Sequence, residues 1–139
     1  MNDPYNLQRF VKAQDAVFDE VRAELREGQK ASHWMWFVFP QLKGLGHSGM
    51  AERFGIASRE EAEAYLAHPI LGPRLRECTQ LVNSVEGRSV EDIFGYPDNL
   101  KFRSSMTLFS CAAEDNEVFL AALQKYFGGE PDPLTLARL

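Results

Sequence analysis

Cysteine is scarce in this chain of 139 residues: Cys78 and Cys111 allow at most one pairing. Nothing in the composition calls for a covalent staple, so both read as reduced, buried thiols of a cytoplasmic protein. Histidine is as thin. His33, His47 and His68 lie fourteen and twenty-one positions apart with no CxxC or HxxxH pair, a pattern that argues against a metal site and calls for no cofactor. Positive charge is in deficit, 15 Lys plus Arg against 20 Asp plus Glu for a net −5. That balance favours solubility and argues against capture of nucleic acid or an anionic membrane surface by overall field. A long hydrophobic run is also missing. The aromatic stretch from Trp34 to Phe39 falls far short of the roughly 20 residues a bilayer span needs, and Met1 to Arg9 carries Asp3 and no secretory core. Neither repeats nor low-complexity linkers interrupt the chain. Against roughly 100–200 residues per domain, its length fits one domain over 1–139.

What is present is apolar bulk. Residues of the AVILMFWYC set make up 45%, among them ten Phe, four Tyr and two Trp, enough for a core that buries roughly two thirds of the unfolded surface. Their spacing is helical. Leu7, Phe10 and Val11, then Val17, Phe18, Val21 and Leu25, recur at three- and four-residue steps, predicting two short helices or one bent one, opened by Asp3-Pro4 and stopped at Gly28. Ser58 with Glu61 forms a capping-box pattern for a helix ending at His68, before Pro69. Leu71, Leu75, Cys78, Leu81 and Val82 write the next, with Pro73 in its first turn. A short turn from Ser89 to Gly95 follows, then a segment opened by Pro97-Asp98 with Phe102, Met106 and Phe109 on one face. A helix capped near Asp115 or Asn116 ends at Gly128-Gly129, and Asp132-Pro133 can begin a last turn. The segment Ser32 to Phe39, SHWMWFVF, suits either a buried strand or a short buried helix, and helix is favoured because no partner strand is visible. The expected fold is all-α, a single compact domain of about seven short helices.

Three long blocks stand in order: HWMWFVFPQLKGLGHS from His33 to Ser48, AYLAHPILGPRL from Ala64 to Leu75 and DNLKFRSSMTLF from Asp98 to Phe109. The chain closes on KYFGGEPDPLTLARL from Lys125 to Leu139. Together they resemble the signature blocks of the bacterial and fungal domain of unknown function family 1810, over nearly the whole chain. The resemblance implies an all-helical domain and no established reaction.

Most catalytic signatures fail. Gly46-His47-Ser48-Gly49 resembles part of a nucleophile elbow, but Met50 stands where G-x-S-x-G needs glycine. Gly44-Leu45-Gly46 is half a dinucleotide fingerprint with no strand before it, and reads as a flexible turn. Glu60, Glu61 and Glu63 at a helix start read as water-facing complements of the helix dipole.

Two features survive. Residues i and i+2 of a helix diverge by about 200°, so one of Trp34 and Trp36 can face a cleft while the other fills the core; both being buried with paired N–H groups is the alternative. The second feature is Lys101, Arg103, Ser104, Ser105 and Thr107. Spacing puts Lys101, Ser104 and Ser105 on one face opposite Phe102, Met106 and Phe109, a cation beside hydroxyls that suits a phosphate or carboxylate. The same residues read equally as a solvated charge with hydroxyls bonded back to their own helix. Lys101 with Ser104 also invites a Ser-Lys nucleophile, although the order departs from S-x-x-K and a desolvated lysine is required. The expectation is a pocket between the two blocks, taking a small anionic or aromatic ligand, nucleotides included. His33, Trp34, Trp36, Gln41, Gly44, Gly46 and Ser48 face Lys101, Arg103, Ser104, Ser105 and Thr107 across it, with a tryptophan stacking, Gln41 and loop amides donating, and Lys101 or Arg103 holding charge. The rivals are a protein-interaction module with the aromatic block as hot spot, and a purely structural role for both blocks.

Overall fold

Helices form wherever apolar residues at three- and four-residue steps meet a cap or a glycine. In the computed structural model, which describes residues 3–139, the N-terminal pattern divides into α1 (Gln8–Asp15) and α2 (Phe18–Glu27). Asp3 holds the start of α1, its carboxylate accepting from the Leu7 amide at 2.8 Å and the Gln8 amide at 3.1 Å. Gly28 ends α2 at φ 73°, where a Cβ would also stand 2.9 Å from Val85, so glycine is required twice over. SHWMWFVF folds as a single turn, α3 (Met35–Val38), entered from Trp34 and not capped by Ser32.

The glycine-rich loop after Pro40 contains α4 (Gly49–Phe54), with Ser48 as its N-cap accepting from the Ala51 amide. Then come α5 (Arg59–Ala67), α6 (Leu71–Asn83), α7 (Val90–Phe94), α8 (Asp98–Ala112), α9 (Glu117–Phe127) and α10 (Pro133–Arg138). Ten helices replace the expected seven or so among the described residues. The surplus consists of α4 and of α7 and α10, expected only as turns, all too short for a 3.6-residue period to register. Among the described residues the one extended pairing is a parallel bridge between Leu42 and Ile56, which closes the loop around α4.

The core is built around α8, which packs on α5, α7, α9 and α10. Phe102 stacks on Phe94 at 4.7 Å and meets Phe39 edge-on at 5.0 Å, and Phe109 lies between Tyr65 and Phe119. A helix covered on all sides does not keep a polar face. From Ser104 to Phe109 every residue of α8 is buried, which corrects the expected open face: Ser105 is 0% exposed, inside the core. Two further expectations change. Glu61 is 3% exposed and not water-facing; its carboxylate pairs with the Arg9 guanidinium at 2.9 Å and accepts from the Ala57 amide. Cys78 is buried but Cys111 only half-buried, and both are free thiols. No helix among the described residues is long and apolar enough to cross a membrane.

Candidate functional site

The two tryptophans take opposite roles. Trp34 is 1% exposed and its indole N–H donates to Glu24 Oε1 at 2.9 Å. Glu24 also accepts from the Ala31 amide, the Ser32 amide and the Ser32 hydroxyl at 2.7, 3.0 and 2.6 Å. Burial alone would raise its pKa, yet the Ser32 hydroxyl, the two amides and the indole outweigh that and hold the carboxyl down at about 2. Trp36 is half-buried, and the Lys101 ammonium sits 4.9 Å from its ring centroid, within range of a cation–π contact. Asp98 lies between two ammonium groups, 2.9 Å from Lys30 and 3.3 Å from Lys101. Lys30 has the shorter contact and the more buried side chain, 8% exposed against 25% for Lys101, so it has the stronger claim on that carboxylate.

Beside Lys101 runs an open groove of about 450 Å³. Gln41, Leu45 and Gly46 form one wall, Pro97, Leu100, Lys101, Arg103 and Ser104 the floor, and Asp132, Pro133 and Leu134 the other wall. A smaller cavity of about 10 Å³ beneath Trp36 shares Gln41 and Gly46 with it and has room for one water. The C-terminal wall is tied down by side chains. Asp132 Oδ2 accepts from the Ser104 hydroxyl at 2.9 Å, the Thr135 hydroxyl at 2.6 Å and the Thr135 amide at 3.3 Å, while the Asp132 amide donates to Thr107 Oγ1 at 2.8 Å. On the other side Gly44, at φ 96°, leaves the room Arg138 occupies: a Cβ there would stand 2.9 Å from the guanidinium.

The model of a family described as a protein of unknown function, DUF1810, matches residues 4–139. The chain belongs to the DUF1810 family. Among solved structures it is similar to the crystal structure, at 1.38 Å, of the conserved hypothetical protein Rv1873 from Mycobacterium tuberculosis, with 60% identity. The similarity covers 99% of this chain and 98% of that one, with a TM-score of 0.98. No curated protein matches the chain.

Of the residues singled out in this DUF1810 chain, the fold brings Gln41, Gly46, Lys101, Arg103 and Ser104 to one groove, with Trp36 beneath the Lys101 ammonium. Others go elsewhere. Trp34 is inside, Ser48 caps α4, Gly44 packs on Arg138, and His33 is exposed without lining the groove. Thr107 donates to the Arg103 carbonyl and accepts from Asp132, so its hydroxyl is committed. Ser105 Oγ is buried with no partner. The Ser104 hydroxyl is shared between the Leu100 carbonyl and Asp132 while Lys101 rests on Trp36 and Asp98, an arrangement that gives a Ser-Lys pair no basis. Among the described residues no group of three or more His, Cys, Asp or Glu is placed to hold a metal ion. Sequence reasoning missed Asp98, Leu100, Asp132 and Leu134. The Asp132-Pro133 cap signal marks the third, but no local pattern says what the capped turn packs against.

Proposed function

We propose that this DUF1810 protein binds a small anionic ligand in the groove between the Gln41–Gly46 loop, α8 and the start of α10. The observation that carries the reading is the pair of lysines on one carboxylate: Asp98 is the closer partner of the more buried Lys30, which leaves the Lys101 ammonium at the groove edge with charge to spare. An ammonium in that position, its stem lying along an indole face, makes charge-assisted hydrogen bonds to an incoming carboxylate or phosphate oxygen. Gln41 supplies a side-chain amide on the facing wall. The interaction-module reading fares worse, since Trp34, Met35, Phe37, Val38 and Phe39 of the aromatic block are all buried and cannot form a hot spot without unfolding. The same proposal takes the protein as cytoplasmic, on the strength of its two free thiols.

The test is a thermal-shift screen of organic acids, nucleotides and phosphorylated metabolites, since a ligand of the native state raises its stability by mass action. Hits are then titrated against Lys101→Met. The variant keeps the helix and most of the apolar stem, so folding should change little while binding weakens by about 1.5–3 kcal/mol. Lys101→Arg should restore part of it, a planar fork being a poor copy of a compact charge. Binding that persists in folded Lys101→Met would remove the groove as the anion site.

A further inference from the structure

We infer that the ligand is an amphiphilic monoanion, a free medium-chain carboxylate, and not a nucleotide or other polyanion; the inference rests on the groove reading above and sharpens it. Charge is the first argument. Arg103 lines the groove but is already engaged, its Nε donating to the Glu130 carbonyl at 3.0 Å and its guanidinium 3.6 Å from the Glu130 carboxylate. Asp132 puts a negative charge on the wall that α10 contributes. Of the described residues that line the groove only Lys101 has charge in surplus, so they neutralise one negative charge, and a second on the same ligand would have Asp132 for a neighbour.

A nucleobase, secondly, does not find in this groove what it needs. Stacking requires an open aromatic face. Trp34 is in the core, Trp36 carries the Lys101 ammonium over its ring, and no aromatic side chain lines the groove.

The walls supply the third. Leu45, Pro97, Leu100, Pro133 and Leu134 surround the cavity, and Leu100 and Leu134 remain 47% and 65% exposed. That apolar surface is left in water next to a single under-partnered cation, the pattern an aliphatic tail with a charged head covers. About 450 Å³ lies inside the range of small-molecule sites.

The experiment is a set of ¹⁵N–¹H correlation titrations with hexanoate, octanoate, octanol and ADP, each kept below its aggregation concentration. Octanoate should move the Leu45, Leu100 and Leu134 amides and bind tighter than hexanoate by about two- to fourfold per methylene. Octanol should bind about tenfold or more weaker than octanoate, and Lys101→Met should abolish that difference. Leu134→Ser, at an exposed position that folding tolerates, should weaken octanoate several-fold and flatten the chain-length dependence. If ADP moves these amides at concentrations where octanoate does not, the groove reading stands and the monoanion inference is overturned. Equal binding of octanol and octanoate overturns it as well. Should none of these probes move the groove amides, both fall together.

Discussion

Lys101 and Trp34 show how far one side chain's environment departs from what its neighbours in sequence imply. Trp34→Ala removes a fully buried indole and should cost about 3–5 kcal/mol in urea unfolding, whereas Trp36→Ala, half-buried under a flexible lysine, should cost clearly less. Glu24 sets a pH window. Its carboxyl, ordinarily near 4.5, is held at about 2 in the fold, so the unfolded chain takes up the proton first. The stability it contributes is complete above pH about 4.5 and drains away as pH falls towards about 2. With part of the group in solvent, that contribution is about 1–2 kcal/mol. Unfolding measured from pH 6 down to pH 3 should show this slope in the wild type, and Glu24→Gln should be flatter. Ser105→Ala should leave stability unchanged or raise it by up to about 1 kcal/mol, because its hydroxyl is desolvated without a partner; a clear loss would contradict the core placement. Gln41 and Lys101, which the fold places at one groove, could be singled out as candidates because an amide or a cation among apolar neighbours is a local signal. Glu24 was not, since its donors lie in the loop after Gly28, seven to ten residues on, and no spacing rule links a helix glutamate to them.

Elements were legible to the degree that their ends carry local chemistry. Ser58, Ser89 and Asp132 accept from the amides of their own first turns, and Gly28 and Gly128 end α2 and α9 in the left-handed region; each end could be read in advance. The face of α8 could not. Phe102, Met106 and Phe109 mark one apolar stripe, but α5, α7, α9 and α10 enclose the helix, and which side faces solvent is decided by those partners. The junction of α8 and α10 carries its own test. Asp132→Ala deletes the cap of α10 together with the acceptor of the Ser104 and Thr135 hydroxyls, which should cost about 1–2 kcal/mol. Hydrogen exchange should quicken in α10 and the Leu134 wall while the amides of α6 and α8 keep their protection.

For the molecule as a whole, the all-helical class followed from periodicity, and the groove lies where parts of the two blocks of side chains, Gln41 to Gly46 and Lys101 to Ser104, come together. The third wall was hidden because it comes from a distant part of the chain, tied to α8 by hydroxyls that looked like ligand donors. No buried hydrophobic residue of the core lies beyond Leu123. A chain shortened by residues 131–139 should therefore keep its helical circular dichroism while losing the groove, and octanoate should no longer move the Leu45 and Leu100 amides. This arrangement bears on proteolysis. Proteases cut segments that open locally, and α10, which carries no buried hydrophobic residue and is held to α8 through Asp132, opens at less cost than the aromatic core. Digestion trims such a chain first beyond Gly128-Gly129, taking away the Asp132–Leu134 wall of the groove while Phe102 and Phe109 stay enclosed.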